Sequence, residues 1–214
     1  SLSGGSPDVL RAIVNGDPKP NIDPHLLVGS LLYLEGREDA ALRELGEVDA
    51  RKLPNALAGQ VALAQAALTV RSDPAKSASL LELARLFLPG TLVDEAALRR
   101  AVLVAAQAGD LETFQRLTAQ YFSRFRHSAY AGNFRQRFAA ALTRMAPLAT
   151  PEGLARLDAL VAPLDEAARR DTFLQVARAA IVEGKTALAS ASARRALALA
   201  PQASRDAERA QVYI

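Results

Sequence analysis

Cysteine and tryptophan are absent from the 214 residues. Without cysteine there are no disulfides, no thiolate chemistry and no cysteine-ligated zinc. Compartment stays open, because periplasmic and cytosolic chains alike can dispense with cysteine. Apolar runs of the roughly 20 residues that a bilayer span requires are missing too, so no membrane insertion is expected in this stretch. So are the Val-, Ile- and Thr-rich stretches, bounded by turn residues, that mark strands. Histidine is scarce: His25 and His127 lie far apart, form no H-x-x-x-H pair, and His127 has no acid close by, so no metal site is expected. No G-x-S-x-G elbow, P-loop or dinucleotide fingerprint occurs, and no cofactor is expected. PGTLVDEAALRR has a single glycine and reads as a tight turn between repeats. The first residues, SLSGGSPD, show neither a basic n-region nor an apolar h-region, so a stretch without an export signal is expected.

What is present favours helix. Alanine supplies 45 of the 214 residues. It has the best helix propensity, and its small side chain lets helices approach closely. Ser6-Pro7, Asp23-Pro24, Asp73-Pro74 and Thr150-Pro151 each put a capping residue before proline at the first helical position, and Asp110 after Gly109 is a further cap. Leu80, Leu83, Ala84, Phe87 and Leu88 form one apolar stripe at helical spacing, and Leu154, Leu157 and Val161 another. These signals predict helices near 7–15, 24–35, 37–50, 55–70, 74–88, 93–108, 110–125, 129–145, 151–161, 165–183, 185–199 and from 202 onward.

The turns inside helix pairs fall near Gly36, Ser72, Gly109, Pro147 and Gly184, with gaps of 36, 37, 38 and 37 residues. EGREDAALREL, AGDLETFQRL and EGKTALASASA share one grammar of glycine, polar cap and amphipathic helix. Two helices per period of this length point to an all-α, tetratricopeptide-like helical-repeat solenoid of about five antiparallel pairs. Residues 1–23 form a leading short helix and linker, 24–200 the array, and 201–214 the start of a capping or truncated helix. The consensus is met loosely. Gly29, Ala140 and Ala177 occupy its small position, whereas Gln65 and Val102 do not. A non-repeat helical bundle is the alternative.

The acidic pairs Glu38-Asp39 and Asp94-Glu95 lie at helix starts, where they complement the helix dipole. Arg99-Arg100, Arg169-Arg170 and Arg194-Arg195 read as solvated faces or groove rims. One segment stands apart. From Thr113 to Pro151 there are six arginines and no acid, so the rest of the chain carries a net −3. Within that segment, residues 121–138 hold six of the eleven aromatics: Tyr121, Phe122, Phe125, Tyr130, Phe134 and Phe138. The phenylalanines are expected mainly in the core, with Phe134 and Phe138 four apart. Arginine and exposed aromatics favour interface hot spots. Arg124, Arg126, His127, Tyr130, Asn133, Arg135 and Arg137 are therefore the expected protein-binding surface. Single-stranded nucleic acid also suits arginine and aromatics. A repeat reader would spread them over every unit, so no nucleic acid is expected.

LLYLEGREDAALRELGEVDARKLP, LARLFLPGTLVDEAALRRAVLVAAQAGD and, most specifically, RFRHSAYAGNFRQRF resemble the flagellar motor protein MotC family of α-proteobacteria. The resemblance implies a periplasmic, non-catalytic protein needed for motility, whose partner is the periplasmic part of the stator protein MotB. It also implies longer family members, with this chain a carboxy-terminal portion. No catalytic residues come with the family. The rival readings are a general helical-repeat adaptor and the superhelical part of a cell-wall-cleaving transglycosylase.

Overall fold

A computed structural model describes residues 6–16, 21–145 and 150–214. All regular structure among them is helical: α1 (Pro7–Asn15), α2 (Pro24–Leu34), α3 (Glu38–Gly46), α4 (Asn55–Thr69), α5 (Pro74–Phe87), α6 (Leu92–Gln107), α7 (Leu111–Arg124), α8 (Ala131–Arg144), α9 (Pro151–Val161), α10 (Glu166–Val182), α11 (Thr186–Ala198) and α12 (Arg205–Val212). The protein is an all-α helical repeat in which adjacent helices pack as pairs. It divides into two compact units, Ser1–Ala101 and Val102–Ile214.

The predicted caps are in place. The side chains of Ser6, Asp23, Asp73, Asp110 and Thr150 accept hydrogen bonds from Asp8, His25, Lys76, Thr113 and Gly153 backbone N–H groups, respectively. Three turns follow one design. Gly36, Gly109 and Gly184 take φ of 72°, 71° and 70°. The next residue then donates back to the carbonyl five positions earlier: Arg37 to Leu32, Asp110 to Ala105, Lys185 to Ala180. A side chain resists that left-handed conformation, which is why glycine closes these helices. The turn expected at Pro147 lies outside the described residues.

In the first unit α2 packs on α3, α3 on α4, and α4 on α5. Gly29 permits the first contact, because a Cβ there would lie 2.8 Å from Leu45 Cγ. The helix expected over 37–50 instead stops at Gly46, and a short 3-10 turn follows at Ala50–Lys52. Gln65 explains this departure. Its buried Nε2 donates to the carbonyls of Leu45 (2.6 Å) and Val48 (2.8 Å), where α3 has run out of partners of its own. The position where the repeat consensus wants a small residue thus carries a side-chain cap. Asp94, expected to serve the helix dipole, is also buried: it accepts from Arg85 Nε (3.1 Å) and from the Gly90 backbone N–H (2.8 Å).

In the second unit α10 packs on both α8 and α12, and α7 on α9, so equivalent helices of successive pairs lie side by side. Between α7 and α8 the aromatics form the core. Phe114 stacks on Phe138 with centroids 5.6 Å apart, and Phe122 meets Phe134 and Phe138 edge-on. Tyr121, Phe122, Phe134 and Phe138 are buried, as expected of the phenylalanines, whereas Phe125 is half-buried. Arg170 and Arg195 are not solvated faces. Arg170 Nε donates to Asp206 (2.8 Å), and Arg195 grips both oxygens of Asp158 (2.6 and 2.8 Å).

Candidate functional site

Where other repeats leave their second helix through proline, α7 ends through two tight turns. Ser128 N–H donates to the Phe125 carbonyl, and Ala131 N–H to the Ser128 carbonyl. The expected surface residues distribute along this exit and along α8. The Arg124 guanidinium sits 5.1 Å from the centroid of the half-buried Phe125 ring. Arg126 Nε lies 3.0 Å from Nε2 of the adjacent His127, and both side chains are exposed. Tyr130 is 46 % exposed just before α8 begins.

Helical spacing then separates the residues of α8. Phe134, Phe138 and Leu142 face the core. Asn133, Arg137, Ala140, Ala141 and Arg144 recur at intervals of three or four and share another face. Arg135 lies on neither. Its side chain is only 16 % exposed, and Nε donates to Asp171 on α10 at 3.1 Å. Of the seven expected residues, six are solvent-facing, and Arg135 is held within the fold. The acid missing from the basic segment is supplied one repeat later.

The face bearing Arg137 lines a groove. Leu103, Ala106 and Gln107 of α6 form one wall of a hollow of about 530 Å³, opposite Arg137, Ala140, Ala141 and Arg144. Ala140 and Arg144 also line a second hollow of about 390 Å³, completed by α10 and by Arg209 of α12. Gln175, Arg178, Ala179 and Val182 are among the α10 residues that line it. The lining mixes small and aliphatic side chains with neutral polar and charged ones. Arg144 pairs with Glu183 at 3.5 Å, and Arg209 with Asp206 at 3.6 Å. Asp171 is already occupied by Arg135 and by Gln175 Nε2 (2.9 Å). Arg137 and Arg178 are exposed and have no acid within ion-pair reach among the described residues, which leaves the groove cationic. Arg178 and Gln175 were not legible as site residues, since their repeat contains acids and shows no bias in composition.

Among the described residues no group of three or more His, Asp or Glu is placed to hold a metal ion. No described helix is long and apolar enough to cross a membrane.

Comparison with known proteins adds the family. Residues 1–214 match the sequence profile of the family described as Chemotaxis protein MotC. The chain belongs to the MotC family. It is 30% identical over 211 residues to Chemotaxis protein MotC of Rhizobium meliloti (strain 1021), a match that covers 99% of this chain and 47% of that relative. The chain thus spans about half the length of the curated MotC protein it matches. No solved structure matches it. In this MotC chain RFRHSAYAGNFRQRF has two duties: Phe134 and Phe138 build the core, and Arg137 edges the groove.

Proposed function

We propose that the chain is a non-catalytic protein-binding scaffold of the flagellar motor, working in the periplasm to hold and position the periplasmic part of the stator protein MotB. Membership of a family of chemotaxis proteins carries the reading. The cationic groove and the exposed Arg124, Arg126, His127, Tyr130, Asn133 and Arg137 support a binding role, since arginine and tyrosine are favoured where protein surfaces meet. Arg135 serves this surface only indirectly, by holding α8 against α10 through Asp171.

Two measurements test the proposal. Deleting the gene for the whole protein is expected to abolish swimming while flagellar filaments still assemble; normal swimming would overturn the motor assignment. The purified 214-residue chain is expected to retain the periplasmic fragment of MotB on an affinity column, and more weakly as salt rises. If the fragment passes through at low salt, the partner assignment fails.

A further inference from the structure

We infer that the groove of the second unit takes an acidic peptide segment, with the guanidinium groups of Arg137 and Arg178 holding its carboxylates. This rests on the scaffold reading above and adds the chemistry of what is held.

Charge complementarity carries the argument. Four arginines line the two joined hollows against two acids, Asp171 and Glu183. Asp171 is neutralised from the side by Arg135, and Glu183 by Arg144. Arg209 shares Asp206 with Arg170. Among the described residues, the lining arginines with no acid in ion-pair reach are therefore Arg137 on α8 and Arg178 on α10, on two helices that pack together. Unpaired arginines held on rigid neighbouring helices suit carboxylates, which a guanidinium can grip through two parallel N–H bonds.

The lining decides between peptide and nucleic acid. Ala140, Ala141, Ala179 and Val182 line the hollows with the arginines, and Leu103 and Ala106 lie on the α6 wall. Gln107, Gln136, Thr143 and Gln175 add neutral polar groups. No aromatic ring lines either hollow. Unpaired bases bind chiefly by stacking on rings, and the rings of this segment are committed to the core beneath α8. A lining of small apolar and neutral polar side chains, without rings, suits a peptide whose acids reach the arginines. Val182, 80 % exposed, offers an apolar contact at the end of α10.

The test uses the 214-residue chain and a fluorescein-labelled alanine–glutamate peptide, read by anisotropy. Saturable binding that weakens with salt is expected. The double variant Arg137→Gln/Arg178→Gln is expected to weaken it by about tenfold or more, and Arg178→Gln alone by less. A control that removes equal charge elsewhere, Arg116→Gln/Arg156→Gln, is expected to change it by less than about twofold. Absence of saturable binding, equal loss in both double variants, or displacement by an oligothymidylate at equal concentration would each overturn the inference. The MotB fragment is run through the same variants. If it binds wild type and the groove double variant alike, the scaffold stands and the groove inference falls. If only the peptide binds, the groove stands and the partner falls.

Discussion

Arg135 and Asp171 stand 36 residues apart in the chain, and their Nε and Oδ2 atoms 3.1 Å apart in the fold. Arg170 and Asp206 repeat the arrangement, again 36 residues apart and at 2.8 Å. Arg170 and Asp171 are neighbours on α10, so this one helix gives a cation forward to α12 and takes one back from α8.

Arg135 and Arg137 should therefore respond unequally to charge reversal. Arg135→Glu sets a second anion against Asp171 and is expected to lower stability by about 1–2 kcal/mol, with recovery when Asp171→Lys is added. Arg137→Glu, on an exposed face, is expected to stay within about 0.5 kcal/mol of wild type. Urea denaturation of the singles and the double checks both. Equal effects of the two reversals would remove the distinction between a fold residue and a groove residue.

Gln65→Met keeps the volume of a buried side chain but removes both donations to the end of α3. Two carbonyls then lose their partners, and the expected loss is about 2 kcal/mol. Hydrogen exchange should quicken in α3 and the following turn more than in α5. A melting temperature equal to that of wild type would show that water replaces the amide at no cost.

His25 Nδ1 lies 2.9 Å from Glu44 Oε2, joining α2 to α3. The hydrogen bond to Glu44 raises the imidazole above its ordinary 6.5. A pKa raised by folding stabilises most fully below the unfolded value and stops doing so as pH rises through the folded one. Stability from this pair should thus decline from pH 6.5 upward to His25's own raised value. NMR titration of His25 is expected to show the upward shift, and Glu44→Gln to abolish most of it. An unchanged titration in Glu44→Gln would assign the shift to another group.

Phe138 is fully buried, between the stacked Phe114 ring and the edge of Phe122. Phe138→Ala is expected to cost about 3–5 kcal/mol. Asn133→Ala, exposed on the same helix, should cost under about 0.5 kcal/mol. Thermal melts of the two variants make the comparison.

Local chemistry made much of the fold readable from the sequence. Five caps and three glycine turns depend on residues within one turn of each other, and all eight stand where the sequence places them. The end of α3 was not readable, because Gln65, twenty residues away, decides it. The surface was half readable. Excess arginine marked α8, but whether a given arginine meets solvent or an acid depends on the next helix, which is how the pairing of Arg135 with Asp171 escaped notice. Arg178 carried no signal of its own; only the packing of α10 on α8 puts it beside Arg137's face.

The ties Arg135–Asp171, Arg170–Asp206 and Arg195–Asp158 all reach 36 or 37 residues, one repeat and no further. They make the second unit an assembly of near neighbours, and such chains fold quickly because no distant strand has to be found first. The same economy sets its mechanical character. Pulled lengthwise, helices linked only to adjacent repeats yield one pair at a time and re-form one pair at a time. The second unit should behave as an extensible spring, lengthening in steps and recovering when the load is released.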